Sequence, residues 1–148
     1  MSIRTLTSTI GKGLVAGAAG TAAMTVSSTL EAKLRGREFS TAPAKAAQKL
    51  LGIKEFTSPA AEARFSNLVH WSYGTGWGVA RALLGRMLGA KAADAAHFGA
   101  VWGSAVVMLP ALDVAPPAWT WGAEEVAIDL FHHAVYVATT GIAYELLD

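Results

Sequence analysis

The sequence contains no cysteine, which excludes a disulfide framework, zinc-thiolate and iron-sulfur sites, and a thiol nucleophile. Charge is scarce as well. Asp, Glu, Lys and Arg make up 16% of the residues, against about a quarter in a soluble domain. A net charge of +1 leaves no basic footprint for nucleic acid. Gly-x-Ser-x-Gly, a Walker loop and His-Glu-x-x-His are all missing, so no familiar catalytic motif points to an enzyme. What remains is apolar: 53% of the 148 residues are hydrophobic and the mean hydropathy is +0.37. That composition points to lipid.

The chain reads as a single integral-membrane domain, residues 1–148, with spans at about 10–31, 59–85, 93–112 and 122–147. Gly13 to Leu30 carries no charge, and Glu31, Lys33, Arg35 and Arg37 end it; the run is long enough to cross the hydrocarbon core. A basic stretch before a small-residue run is also the pattern of a secretory signal, with Ala16-Gly17-Ala18 as its cleavage site. Gly13, Gly17 and Gly20 form a small-residue stripe that lets helix backbones pack closely, as do Gly74 and Gly78, and Gly99 and Gly103. Ser58-Pro59-x-x-Glu62 starts the second span with a cap, a first-turn proline and an acid at the positive helix end. Arg64, Arg81 and Arg86 lie near the ends of that span and are expected to snorkel to the interface. Between the first two spans, residues 41–52 suggest a short amphipathic helix, begun by Ser40 or Thr41 with Pro43 and stopped by Gly52. It can lie along lipid headgroups or pack on the bundle. Pro116-Pro117 with Trp119 and Trp121 suits a membrane-surface belt. The basic residues divide between the two sides too evenly to set an orientation.

Laying Ala60–Leu84 on Ala123–Leu147 aligns Glu62 with Glu125, His70 with His133, Tyr73 with Tyr136 and Gly78 with Gly141, besides Ala and Leu matches. Ala16 and Gly20 align more weakly with Gly99 and Gly103. An internal repeat of this kind predicts an all-α, four-helix membrane bundle of two tandem hairpins, related by a pseudo-twofold axis along the membrane normal. His70 and His133 would then lie at equal depth. Helical spacing draws Tyr73, and with His133 also Glu125, Asp129 and Tyr136, onto stripes that lipid cannot solvate. The expected polar centre is therefore His70, Tyr73, Glu125, Asp129, His133 and Tyr136.

Gly13 to Gly20, the Trp/Gly-rich Asn67, Trp71, Gly74 and Gly76, the turn Leu109-Pro110 to Pro116-Pro117-x-Trp119, and Asp129 four residues before His133 together resemble the YagU-type bacterial inner-membrane proteins, a domain family of unknown function. The resemblance implies a small multi-pass protein of the bacterial inner membrane and supplies no mechanism.

Three kinds of role fit the polar centre. Buried His, Tyr and Asp can hydrogen-bond each other and fix helix register, in a structural or accessory protein whose partners are the bilayer and a second membrane protein or another copy of itself. A carboxylate-histidine stripe can relay protons, handle ions or sense pH. The His70/His133 pair can ligate a non-covalent haem from two helices. Asp129 with one of His132 and His133 can contribute to a divalent-metal site, because adjacent helical residues diverge by about 100° and only one can join it. Gly74-Thr75-Gly76-Trp77-Gly78 is better explained by helix packing than as a phosphate loop, since no strand precedes it.

Overall fold

The structure is a computed structural model that describes residues 2–148. Five α-helices account for most of it: α1 (Ile3–Arg35), α2 (Ala42–Leu50), α3 (Pro59–Leu88), α4 (Ala90–Ala111) and α5 (Ala123–Leu147), with one 3-10 turn at Ala118–Thr120 and no strand among the described residues. Helices α1, α4 and α5 are long and apolar enough to cross a membrane. Helix α3 has 30 residues but is not among them; Glu62, Arg64, Arg81 and Arg86 lower its apolar character.

Local chemistry sets most of the ends. The Ser2 hydroxyl accepts from the Thr5 amide at 3.2 Å and starts α1 well before the expected polar boundary. With 33 residues, α1 is about 50 Å long and outreaches a hydrocarbon core of about 30 Å. Its C-terminus closes at Gly36, in the left-handed region at φ 63°, while the Arg37 amide donates to the Ala32 carbonyl at 3.0 Å. The Ser58 hydroxyl caps α3 by accepting from the Ala61 amide at 3.2 Å, with Pro59 in the first turn. Gly89, at φ 76°, is the single residue between α3 and α4, a conformation that strains any side-chain-bearing residue. Helix α2 packs on α3 and α4. It is held at the α4 C-terminus by the Lys49 ammonium, which donates to the carbonyls of Leu112 at 2.5 Å and Asp113 at 3.1 Å.

Helix α1 packs against both α3 and α5, α3 also against α4, and α4 also against α5. Ion pairs at both ends run α1 antiparallel to α5: Lys12 meets Asp148 at 3.1 Å, and Arg35 meets Glu125 at 2.5 Å. The α1–α3 seam is built from glycine. A Cβ on Gly13 would meet the Gly78 carbonyl oxygen at 2.8 Å, and one on Gly17 would meet the Thr75 carbonyl oxygen at 2.6 Å and the Gly78 Cα at 2.9 Å. Gly20 faces Tyr136 and Thr140 of α5, and Gly74 faces Thr21. Four glycines placed on packing stripes by the sequence, Gly13, Gly17, Gly74 and Gly78, thus line α1–α3, and Gly20 lines α1–α5. Gly99 and Gly103 do not line a contact, because a Cβ on either meets nothing within 4 Å. Their stripe lies on the outward side of α4, whose inward side is set by the buried Ala93, His97 and Val101.

This seam predicts a sharp asymmetry between glycines. Gly78→Val should lower stability by at least about 1–3 kcal/mol, since backbone rather than a movable side chain opposes the new atoms. Gly99→Val should leave the melting temperature of the detergent-solubilised protein unchanged.

Candidate functional site

The buried polar groups fall into two layers. Nearer the α1 C-terminus, the His70 Nε2 lies 2.8 Å from the Thr25 hydroxyl, which donates its own proton to the Thr21 carbonyl at 2.7 Å. Thr25 therefore accepts, and His70 carries its proton on Nε2. By the same logic the His132 Nδ1 donates to Ser27 at 2.9 Å, because the Ser27 hydroxyl is spent on the Met24 carbonyl at 3.0 Å. The remaining nitrogen of His132, Nε2, is buried and stands 3.6 Å from a Glu31 carboxylate oxygen. Glu31 is in turn gripped by Arg37 and Arg35. On the far side, the Trp102 indole of α4 donates to Asp129 at 2.8 Å, while the His133 Nδ1 donates to the carbonyl of Asp129 on its own helix at 2.8 Å. The Tyr136 hydroxyl crosses from α5 to the Gly74 carbonyl of α3 at 2.6 Å.

The expected polar centre is thus divided. Asp129 and His133 meet each other one turn apart on α5, while His70 turns to Thr25 and Tyr136 to the Gly74 carbonyl. Glu125 is not part of it: one helical turn of α5 carries it outward to the end of α1, where Arg35 binds it. Tyr73 is exposed and reaches only Ser104, at 3.5 Å. The His70/His133 pair does not fit a haem held from both sides. The Nε2 of His70 is committed to α1, the ring of His133 is turned to Asp129, and Tyr136 ties α5 to α3 one turn further along. Nor do Asp129, His132 and His133 converge as metal ligands. His132 turns to Ser27 on α1, and no cluster of three or more His, Cys, Asp or Glu suited to a metal occurs among the described residues.

The second layer lies near the α3–α4 turn and was not anticipated. Arg81 does not snorkel; its side chain is fully buried, with the Nε donating to Asp94 of α4 at 2.5 Å and an Nη2 donating to Glu145 of α5 at 3.0 Å. Its guanidinium carbon sits 5.2 Å from the centre of the Tyr144 ring, within cation–π range. One side chain thereby joins three helices. Asp94 fits because Gly141 faces it: a Cβ there would come within 2.6 Å of the carboxylate. One turn along α4 from Asp94, His97 is fully buried between Trp77 and Tyr136, with ring centroids 6.2 and 5.6 Å away, and neither of its nitrogens has a hydrogen-bond partner.

Comparison with family models, curated proteins and solved structures finds no match to this chain. Its chemistry must be read from its own residues. The sequence signals for the second layer were present but unspecific. Arg81 lies close enough to the end of its span to pass for an interfacial arginine, and Asp94 and His97 are spaced to share a helix face. Glu145 carried no signal beyond being a carboxylate close to the end of a span. Taken together, the layers can hold helices in register and can move or trap a proton. Thr25 beside His70 and Ser27 beside His132 each set a hydroxyl against an imidazole, with both hydroxyl protons turned to backbone carbonyls of α1.

An arginine buried between carboxylates predicts an order of mutational costs. Asp94→Ala leaves the guanidinium undercompensated and should cost about 1–3 kcal/mol, less than a fully buried pair because Asp94 is partly open to solvent. Arg81→Met, which removes the charge and keeps the bulk, should cost less than Asp94→Ala. Thermal melts of the two variants in one detergent decide the order.

Proposed function

We propose that this is a small multi-pass protein of the bacterial inner membrane, of the YagU type. Its four long helices form a bundle, and its buried polar residues serve to fix helix register in a structural or accessory component. The observation that carries this proposal is Arg81, a charge wholly enclosed by protein and tied to two neighbouring helices. A cation tied in this way to the helices on either side of it fixes their register. Helix α3 crosses beside the three more apolar helices because its polar groups turn to α1, α4 and α5, as those of Arg81 and His70 do. The tandem-hairpin arrangement draws support from the pairing of Tyr73 with Ser104 on one side and Tyr136 beside Gly20 on the other. The bilayer is the first partner, and the exposed apolar faces leave room for a second membrane protein or another copy of the chain.

Because the chain lacks cysteine, single introduced cysteines report topology without background. Thr7→Cys and Lys91→Cys should be labelled by an impermeant maleimide from one side of the membrane, and Lys45→Cys and Thr120→Cys from the other. Labelling of Thr7 and Lys45 from the same side would contradict the bundle. An accessory role further requires that a partner co-purify in mild detergent; a chain that is alone and monomeric there contradicts it.

Proton handling is the second reading, and His97 is the observation that favours it. His97 is buried with both nitrogens unpartnered, one turn from Asp94 and against Tyr136, and so lies where a proton path between these groups would run. Vesicles containing the protein would then show proton flux that His97→Phe abolishes. Equal flux in empty vesicles, wild type and variant would leave the structural role alone.

A further inference from the structure

Two clefts open at the end of the structure where α1 begins and α3 and α5 finish. One, of about 430 Å³, is walled by Arg81, Arg86, Glu145 and Asp148 among others. The other, of about 350 Å³, has Arg4 and Lys12 on its walls and shares Arg86 and Asp148 with the first. The two adjoin at Arg86 and Asp148 and form a composite depression by this sharing of walls.

Its carboxylates are already engaged. Arg81 binds Asp94 and Glu145, and Lys12 binds Asp148. The cations are not all engaged in return. Arg4 and Arg86 form no ion pair among the described residues, and the Nη1 of Arg81, fully buried, has no hydrogen-bond partner. That nitrogen lies over Gly85, where a Cβ would come within 2.6 Å of it, and Gly85 itself lines the larger lobe. A guanidinium clamped by two carboxylates with one nitrogen left over is a fixed donor for an oxyanion, and the nearby unpaired arginines add the charge to hold it. The same helix ends also carry exposed apolar residues, Ile3, Met87, Leu88 and Leu146. A ligand suited to this setting joins a phosphate to apolar chains.

We infer that the depression binds the phosphodiester headgroup of an anionic phospholipid, with Arg4 and Arg86 neutralising the phosphate and the Nη1 of Arg81 donating to one of its oxygens. The lipid acyl chains lie along the exposed apolar residues of α1, α3 and α5. The inference rests on the membrane reading for the source of the ligand, while the phosphate chemistry stands on the side chains alone.

The test uses the full-length protein, purified and delipidated in mild detergent, titrated with dioctanoyl-phosphatidylglycerol by calorimetry. Wild type should bind it more tightly than dioctanoyl-phosphatidylcholine. Arg4→Gln and Arg86→Gln should each weaken binding about fivefold, the effect of one basic residue beside an anionic lipid. Both replaced residues are at the exposed rim, so the helical content and melting temperature of each variant should hold. Equal affinity of variant and wild type, or of the two lipids, would overturn the site. Displacement of the lipid by an equal concentration of inorganic phosphate would assign the cleft to free phosphate and overturn the lipid as its source. Membrane residence is scored separately, by whether the chain stays with membranes after an alkaline carbonate wash, an outcome independent of either arginine.

Discussion

Everything in this structure depends on how closely the backbones of α1 and α3 approach. Gly13 and Gly17 meet Thr75, Gly78 and Ala82 without an intervening side chain, so the two helices gain dispersion contacts over a continuous strip where lipid supplies no hydrophobic drive to associate. The same approach fixes the rotation of α3. With Gly78 and Ala82 turned to α1, Arg81 is directed between α4 and α5, and Ala16, Ala82 and Tyr144 close a small core beside it. The buried cation is thus a consequence of the glycine seam, and its carboxylate partners follow from where α4 and α5 must lie to cover it.

Polar groups on the remaining helices obey one rule: each that turns inward is met by another helix or by its own backbone. Threonine and serine hydroxyls on α1 donate to carbonyls one turn back and still accept from a histidine, which lets His70 and His132 dock without leaving a donor unused. Tyr136 and Trp102 spend their polar tips across helix boundaries, on Gly74 and Asp129. The His132 Nε2, 3.6 Å from Glu31, is one exception, and the others cluster near the α3–α4 turn, where His97, the Arg81 Nη1 and the Tyr144 hydroxyl are buried without partners. Unpartnered polar atoms in a low-dielectric setting are costly, and their concentration in one place marks that end of the molecule as the one with unfinished chemistry.

Much of the fold was legible because single residues act locally. Ser58-Pro59 set the start of α3, Pro43 stands in the first turn of α2, and the small-residue stripes of α1 and α3 proved to be their contact. Rotation about the helix axis was harder to read. His132 and His133 are adjacent, and only the packing of α5 on α1 decides that His132 turns to Ser27 and His133 to Asp129. Gly99 and Gly103 carried the same spacing as Gly13 and Gly17, yet Val101 and His97 hold the inward side of α4. Glu125 was placed on an inward stripe by period alone, while Arg35, a residue of another helix, draws it to the surface. Arg81 looked like an interfacial arginine because its partners lie on helices whose position no local pattern reveals.

The most direct measurement is a cross-link across the α1–α3 seam. A Cβ on Gly13 would fall 2.9 Å from that of Ala82, close enough that a small opening reaches the roughly 3.5–4.5 Å of a disulfide. Gly13→Cys/Ala82→Cys, oxidised in membranes, should form an intramolecular disulfide in high yield, whereas Gly99→Cys/Ala82→Cys should not. Failure of the first pair to close in a variant that keeps the wild-type melting temperature, or equal closure of both pairs, would contradict a structure organised by this contact.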